Sequence, residues 1–336
     1  TEVSDASGMQ LLDVPKRQWS QEVLDKLGID KDLLAKVYES PEVTGHVSAE
    51  ATKLTGLSMD TLIVGGAGDN AAAAVGTGTV VDGRAFTTIG TSGVVFAHTS
   101  KLAIDPKGRV HTFCCAVPGA WHVMGVMQSA GLSKRWIRDT CCEKEVALAE
   151  RMDEDPYVLL DKLAEGSPVG ANRLLFLPYL MGEPPPHLDP DCRGGFFGLS
   201  AMHEKPDLIR AVMEGVSFGL KDSLDILDGM GVTPDNMLLT GGGAKSAFWR
   251  QVLADVFACP VQTIKSSEGP ALGVAILAGV GAGIYDSVEA ACEQLVELGD
   301  TFNPDEENVK TYARYHVLFQ QLYPALKESW VALSRL

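Results

Sequence analysis

Apolar and polar positions along this chain repeat with two periods, and the switches between them mark out the elements. Short β-rich runs at 62–64, 85–89, 94–96, 121–127, 174–180, 237–240 and 261–264 predict strands. The run at 174–180 is broken by Pro178, which cannot donate to a ladder. Helical spacing governs 20–27, 30–37, 129–151, 207–228, a stretch starting near Ser246, 270–279 and 308–333. Within 207–228, Leu208, Ala211, Val212, Val216, Leu220, Leu224 and Leu227 recur at three- and four-residue steps. Ser20 suits the cap of the first helix, without a capping box. Strands alternate with helices, and 84–98 has a hairpin pattern. An α/β chain with a mixed sheet flanked by helices is therefore expected.

Composition narrows the classes. A chain of 336 residues allows more than one domain and a large core. Its net charge of -16 argues against a nucleic-acid binder, which needs a basic face, and against an anionic membrane surface. No apolar stretch reaches the ~18–20 residues of a membrane span. The longest, 270–284, is rich in Gly and Ala and reads as a buried helix. The first residues have neither the basic region nor the apolar core of a signal peptide. The seven cysteines form no C-x-x-C pair, and no two histidines stand at ligand spacing, so no metal ligand is assigned. Scattered thiols fit a reducing, cytoplasmic setting.

Candidate chemistry sits at three glycine-rich breaks. The run 62–64 ends in Gly65-Gly66-Ala67-Gly68 and then Asp69-Asn70, before an Ala-rich stretch. Small residues give close access, so Asp69 stands at a strand end with room in front of it, as a general base would. The competing role is a cap for the following helix, which Asp fills well. Gly90-Thr91-Ser92-Gly93 joins the hairpin strands and could wrap a phosphate oxygen with successive N–H groups; a plain hairpin turn is the alternative. Gly241-Gly242-Gly243-Ala244-Lys245-Ser246 runs from strand to helix start, where a nucleotide can approach and the helix dipole favours negative charge. It matches neither the Walker pattern nor G-x-G-x-x-G. Lys245 is either a phosphate contact or an ordinary exposed lysine. Glu268 to Gly273 opens a small-residue helix, best read as packing.

In this order the three breaks resemble the FGGY family of carbohydrate kinases. Gly194-Gly195-Phe196-Phe197-Gly198-Leu199, followed by Asp207-Leu208 and Ala211-Val212-Met213-Glu214, is similar to that family's C-terminal signature. Val3 to Gly8, Leu12-Asp13-Val14, Trp19-Ser20 and Trp249-Arg250-Gln251 look most like xylulokinases. The resemblance spans the whole chain. It implies an actin-like (ribonuclease H-like) ATPase fold, with residues 1–80 as the end of the sugar-binding N-terminal domain and 81–336 as the nucleotide-binding C-terminal domain. It implies ATP-dependent phosphorylation of D-xylulose, Asp69 as base, and Asn70 beside the sugar. Gly90, Thr91, Ser92, Gly93, Gly242, Gly243, Ala244 and Ser246 would meet ATP, accompanied by Mg²⁺. The partners implied are sugar and ATP, with a homodimer as one compatible assembly.

Two departures qualify this. The Asp-x-Gly-Thr turn of such kinases, which helps hold Mg²⁺, has no counterpart before Asp69, so a truncated product, weakly active or inactive alone, is expected. The family's Gly-Glu-Arg-Thr-Pro loop reads Gly182-Glu183-Pro184-Pro185-Pro186 here, without the arginine's charge and forked donors. Competing expectations are a kinase for ribulose, fuculose or glycerol, a non-catalytic nucleotide-binding module, and a chaperone-like ATPase.

Overall fold

The protein is described by a computed structural model over residues 1–183, 187–265 and 269–336. Pro184, Pro185, Pro186 and Glu268, singled out above, lie outside those residues. The central sheet has seven strands, numbered here in chain order: β1 (Arg84–Ile89), β2 (Gly93–Thr99), β3 (His111–Cys114), β4 (Trp121–Met127), β5 (Asn236–Thr240), β6 (Val261–Ile264) and β7 (Leu298–Phe302). Their spatial order is β7-β6-β5-β1-β2-β4-β3. β5 runs parallel to both β1 and β6, and the other pairs are antiparallel. The expected mixed sheet is therefore present.

Helices cover both faces of it: α1 (Asp69–Gly76), α2 (Gly131–Cys141), α3 (Pro156–Glu165), α4 (Lys205–Gly229), α5 (Ala247–Phe257), α6 (Gly269–Gly281) and α7 (Glu306–Leu333). Alternation along β1 and β2 sends Ala85, Ile89, Val95 and Ala97 into one core with α4, α5 and α7. Phe86 and Phe96 face the other way, with Leu238, Met124 and Ala74 of α1. α4 is buried along most of its length, as its apolar spacing foretold. α1 and α6 lie very close together. A Cβ placed on Gly273 would stand 1.9 Å from the Ala72 carbonyl oxygen, so only glycine allows this approach.

The strands at 121–127 and 261–264 form over the residues expected. Three expectations need correction. The helix read at 30–37 is only a 3-10 turn, Lys31–Leu33. Beyond it Leu34 and Val37 instead pack against the cluster around Trp19 and Leu24. The helix read at 129–151 is two, Gly131–Cys141 and Glu143–Met152, because Cys142 leaves helical geometry at φ -118, ψ 33. The strand at 174–180 shortens to Leu175–Leu177, ahead of Pro178. No helix among the described residues is long and apolar enough to cross a membrane.

Candidate functional site

Parallel register brings the glycine-rich breaks together. Thr88 of β1 lies opposite Thr240 of β5, so the two strands end level, and Leu239 pairs with Thr263 of β6. The turns at 90–93 and 241–246 therefore leave the sheet side by side. In open α/β sheets, ligands bind beyond such strand ends. Between the turns the hydroxyls of Thr88 and Thr240 meet at 2.6 Å.

Two cavities open here. The first, about 330 Å³, is lined by Gly90, Thr91, Gly131, Gly242, Gly243 and Ser246, with Lys134 and Trp249 among the further wall residues. Its backbone is set by very close contacts. The Gly131 and Leu132 N–H groups at the start of α2 donate to the Gly90 and Thr91 carbonyls at 2.9 and 3.0 Å. With those oxygens taken, the turn presents amides and the Thr91 hydroxyl, which suits an anion. Gly241 has φ +81, the left-handed region, and a Cβ on it would stand 2.7 Å from the Ile89 carbonyl oxygen. Arg135 brings a cation to the same rim, its Nη2 3.4 Å from Thr91 Oγ1.

The second cavity, about 600 Å³, is a cleft lined by Asp69, Asn70, Thr88, Thr240, Lys245 and Lys265, among others. Gly68 holds the cap position of α1 and makes no side-chain cap bond; Asp69 is the first helical residue. The cap role weighed for Asp69 is thus not the one it takes. Its Oδ1 accepts from the Asn70 N–H at 2.7 Å and from Asn70 Nδ2 at 3.1 Å, and the side chain is exposed to the cleft. The preceding loop is tied down by Glu2, which is 3% exposed. Its carboxylate accepts from the Asp5 and Ser4 N–H groups at 2.6 and 2.7 Å, from Ser40 Oγ at 2.8 Å, and from the Gly68 N–H at 3.3 Å. Lys245 is exposed and lines both cavities, which makes it the link between them.

The expected site residues divide accordingly. Asp69, Asn70 and Ala244 line the cleft; Gly90, Thr91, Gly242, Gly243 and Ser246 line the smaller cavity. Ser246 also caps α5, accepting from the Trp249 N–H at 3.0 Å. Ser92 and Gly93 line neither. Gly93 is buried, and a Cβ on it would meet Ala130 and Leu220 at 2.9 Å. Lys134, Arg135, Asp161 and Lys265 were not foreseen. Lys265 directly follows a foreseen strand and could have been read, whereas Lys134 and Asp161 meet only through helix packing.

Asp69 is the only acidic side chain among the described lining residues of the cleft. Mg²⁺ binds through one or two carboxylates plus substrate phosphates. The described residues form no cage for it, and no step is assigned through it. The group Asp222, Asp225 and His316 has ligand-like spacing but shares no residue with either cavity. Asp222 Oδ1 already accepts from Gln320 and lies 2.8 Å from His316 Nε2, which ties α4 to α7.

Residues 85–282 match the FGGY family of carbohydrate kinases, C-terminal domain, and residues 1–76 match that family's N-terminal domain. The chain belongs to the FGGY family of carbohydrate kinases. Its fold is that family's actin-like ATPase fold. It is 36% identical over 327 residues to a xylulose kinase of Staphylococcus epidermidis, covering 97% of this chain and 64% of that one. A gluconokinase of Bacillus licheniformis is 34% identical over 333 residues, covering 98% and 64%. The solved xylulose kinase of Lactobacillus acidophilus superimposes with a TM-score of 0.89 at 30% identity, covering 99% and 66%. The FGGY chain thus spans just under two thirds of the length of these relatives.

Proposed function

We propose that this FGGY protein transfers the γ-phosphoryl group of ATP to a sugar hydroxyl, with D-xylulose as acceptor and D-xylulose 5-phosphate as product. One observation carries the reading: Lys245 lines both cavities. A triphosphate seated on the amides of the two turns would reach along Lys245 toward the cleft where Asp69 is exposed. Asp69 takes the proton from the sugar hydroxyl as its oxygen attacks the γ-phosphorus, the bond to the β-phosphate oxygen breaks, and ADP leaves. Lys245 offsets the charge of the transferred group, while Lys265 at the cleft wall donates to Glu297 Oε2 at 2.9 Å. Asn70 holds the carboxylate's orientation beside the sugar. Mg²⁺, where bound, would come with the ATP and supply positive charge to its phosphates. A cytoplasmic location and a division near residue 80 between sugar-side and nucleotide-side parts belong to the same reading.

D-Gluconate is the second acceptor to test, because a gluconokinase stands among the relatives at 34% identity. Coupled measurement of ADP release with D-xylulose, D-gluconate, D-ribulose and glycerol, on a chain extended to the full length of its relatives, decides. Turnover led by D-xylulose supports the reading, and turnover led by gluconate transfers it to the second. Sugar-independent ATP hydrolysis, or nucleotide binding without turnover of any acceptor, would overturn it.

A further inference from the structure

The smaller cavity has an inner wall that phosphate binding does not explain. Lys134, from the first turn of α2, is 5% exposed, and its Nζ donates to Asp161 Oδ1 of α3 at 2.5 Å. The same Nζ lies 5.2 Å from the Trp249 ring and 5.3 Å from the Tyr157 ring. An ammonium has three N–H donors, and a carboxylate about four acceptor positions. This pair uses one of each on itself. Among the described residues neither side chain has another hydrogen-bond partner. Burying two charges is costly unless their remaining hydrogen-bonding capacity is met. Both line the cavity, beside Ile89, Tyr157, Val158 and Trp249. The result is a slot with apolar and aromatic sides and, at one place, a donor next to an acceptor.

We propose, on the kinase reading above, that Lys134 and Asp161 read the base of the nucleotide and select adenine over guanine. The cavity of about 330 Å³ is at the small end of the range for small-molecule sites, which suits a base with its sugar and phosphates running out over the turns. Adenine carries an exocyclic amine flanked by ring nitrogens that accept. On either edge the amine can donate to Asp161 while a ring nitrogen accepts from Lys134. Guanine has O6 where adenine has the amine, so its N7 edge presents two acceptors, one of them facing the carboxylate. Only its N1 edge, turned over, still pairs. Burial pushes the Lys134 ammonium below its ordinary pKa while the Asp161 charge opposes that fall; a base accepting a further N–H would act in the same direction as Asp161.

Calorimetric titration of the whole chain with ATP, GTP and purine riboside triphosphate tests this. The last ligand lacks the exocyclic amine and requires no variant. ATP is expected to bind about 10-fold tighter than purine riboside triphosphate, within the discrimination one bidentate base contact supplies, and tighter than GTP by the cost of turning guanine over in the slot. Asp161→Asn, of the same shape, can donate to O6 and should bring ATP and GTP within about threefold. Equal binding of the three ligands by the wild type, or an ATP/GTP ratio unmoved in a folded Asp161→Asn, overturns base reading and leaves the kinase reading standing. Binding of no nucleotide at all overturns both.

Discussion

Around the smaller cavity the backbone is positioned by glycines, whereas around the Asp69 cleft it is positioned by one buried carboxylate. On the first side, Cβ atoms added to Gly131, Gly241 and Gly243 would lie 2.2, 2.7 and 2.6 Å from Gly90 O, Ile89 O and Ile89 Cβ. On the second side, Glu2 gathers the N–H groups of Ser4, Asp5 and Gly68 and the Ser40 hydroxyl. The strand leading to that loop leaves Ile63 45% exposed. The side proposed for the nucleotide is thus preformed to a tolerance of less than one methyl group. The side that presents the proposed base depends on a hub that one side-chain deletion removes. The two should therefore fail differently, the first by adding atoms and the second by taking them away.

The sharpest break of the comparison is Asp69→Asn. In a chain extended to the full length of its relatives it removes the proposed base without adding an atom, so turnover of sugar should fall roughly 10²–10⁴-fold. ATP affinity, proposed to be set at the other cavity, should stay within about twofold in a direct titration. Unchanged turnover would return Asp69 to the status of a first-turn helical residue, and the cleft would lose its chemistry.

Next comes the opposite operation on the other side. Gly131→Ala inserts a methyl 2.2 Å from the Gly90 carbonyl oxygen, which belongs to the backbone and cannot swing aside. Overpacking of this kind costs about 1–3 kcal/mol. ATP should bind about 10- to 100-fold more weakly, or the melting temperature should fall to match. Gly195→Ala is the control, since a Cβ there meets nothing within 4 Å. Equal ATP affinity in both variants would show that the turn has slack and that preformation is not what the glycines provide.

A smaller effect tests the hub. Glu2→Ala leaves the Ser4 and Asp5 N–H groups and the Ser40 hydroxyl without their acceptor and the Gly68 N–H with Ser4 Oγ alone, and an unsatisfied buried donor costs about 1–3 kcal/mol. Sugar turnover should fall about tenfold while ATP binding is spared. Loss of ATP binding instead would mean that the two sides are one mechanical unit.

How much of this was legible follows from the range of the signals. Strands β1, β4, β5 and β6, the turns after β1 and β5, and Asp69 after its glycines are local patterns, and each formed close to where it was read. The site emerges because parallel β1 and β5 end level, which the order of motifs suggested but no single segment contains. Lys134 and Asp161 come from two helices 27 residues apart, and only their packing makes a pair. At 30–37 local helical spacing lost to tertiary burial, with Leu34 and Val37 drawn toward Trp19. Gly93 was grouped with a ligand turn because of its motif, yet its lack of a side chain accommodates Ala130 and Leu220.

The smallest effect separates both sides from the sheet beneath them. His122 of β4 is buried, its ring stacked at 4.2 Å on Phe96, and neither ring nitrogen has a hydrogen-bond partner among the described residues. Burial lowers its pKa from 6.5 to about 3, and the neighbouring His98 and His111 push the same way. The folded value lies below the unfolded one, so between these values the unfolded chain binds the extra proton. Stability is then complete well above pH 6.5 and declines as pH falls toward 3. Between pH 7 and pH 6 this single group should cost about 0.7 kcal/mol. His122→Phe keeps the stacking without a titrating nitrogen, so denaturant curves at the two pH values should differ by that much less in the variant. Because His122 lines neither cavity, its ATP affinity should not change. A variant as acid-sensitive as the parent would move the sensitivity to other groups, with His98, also pushed down by burial, the next to replace.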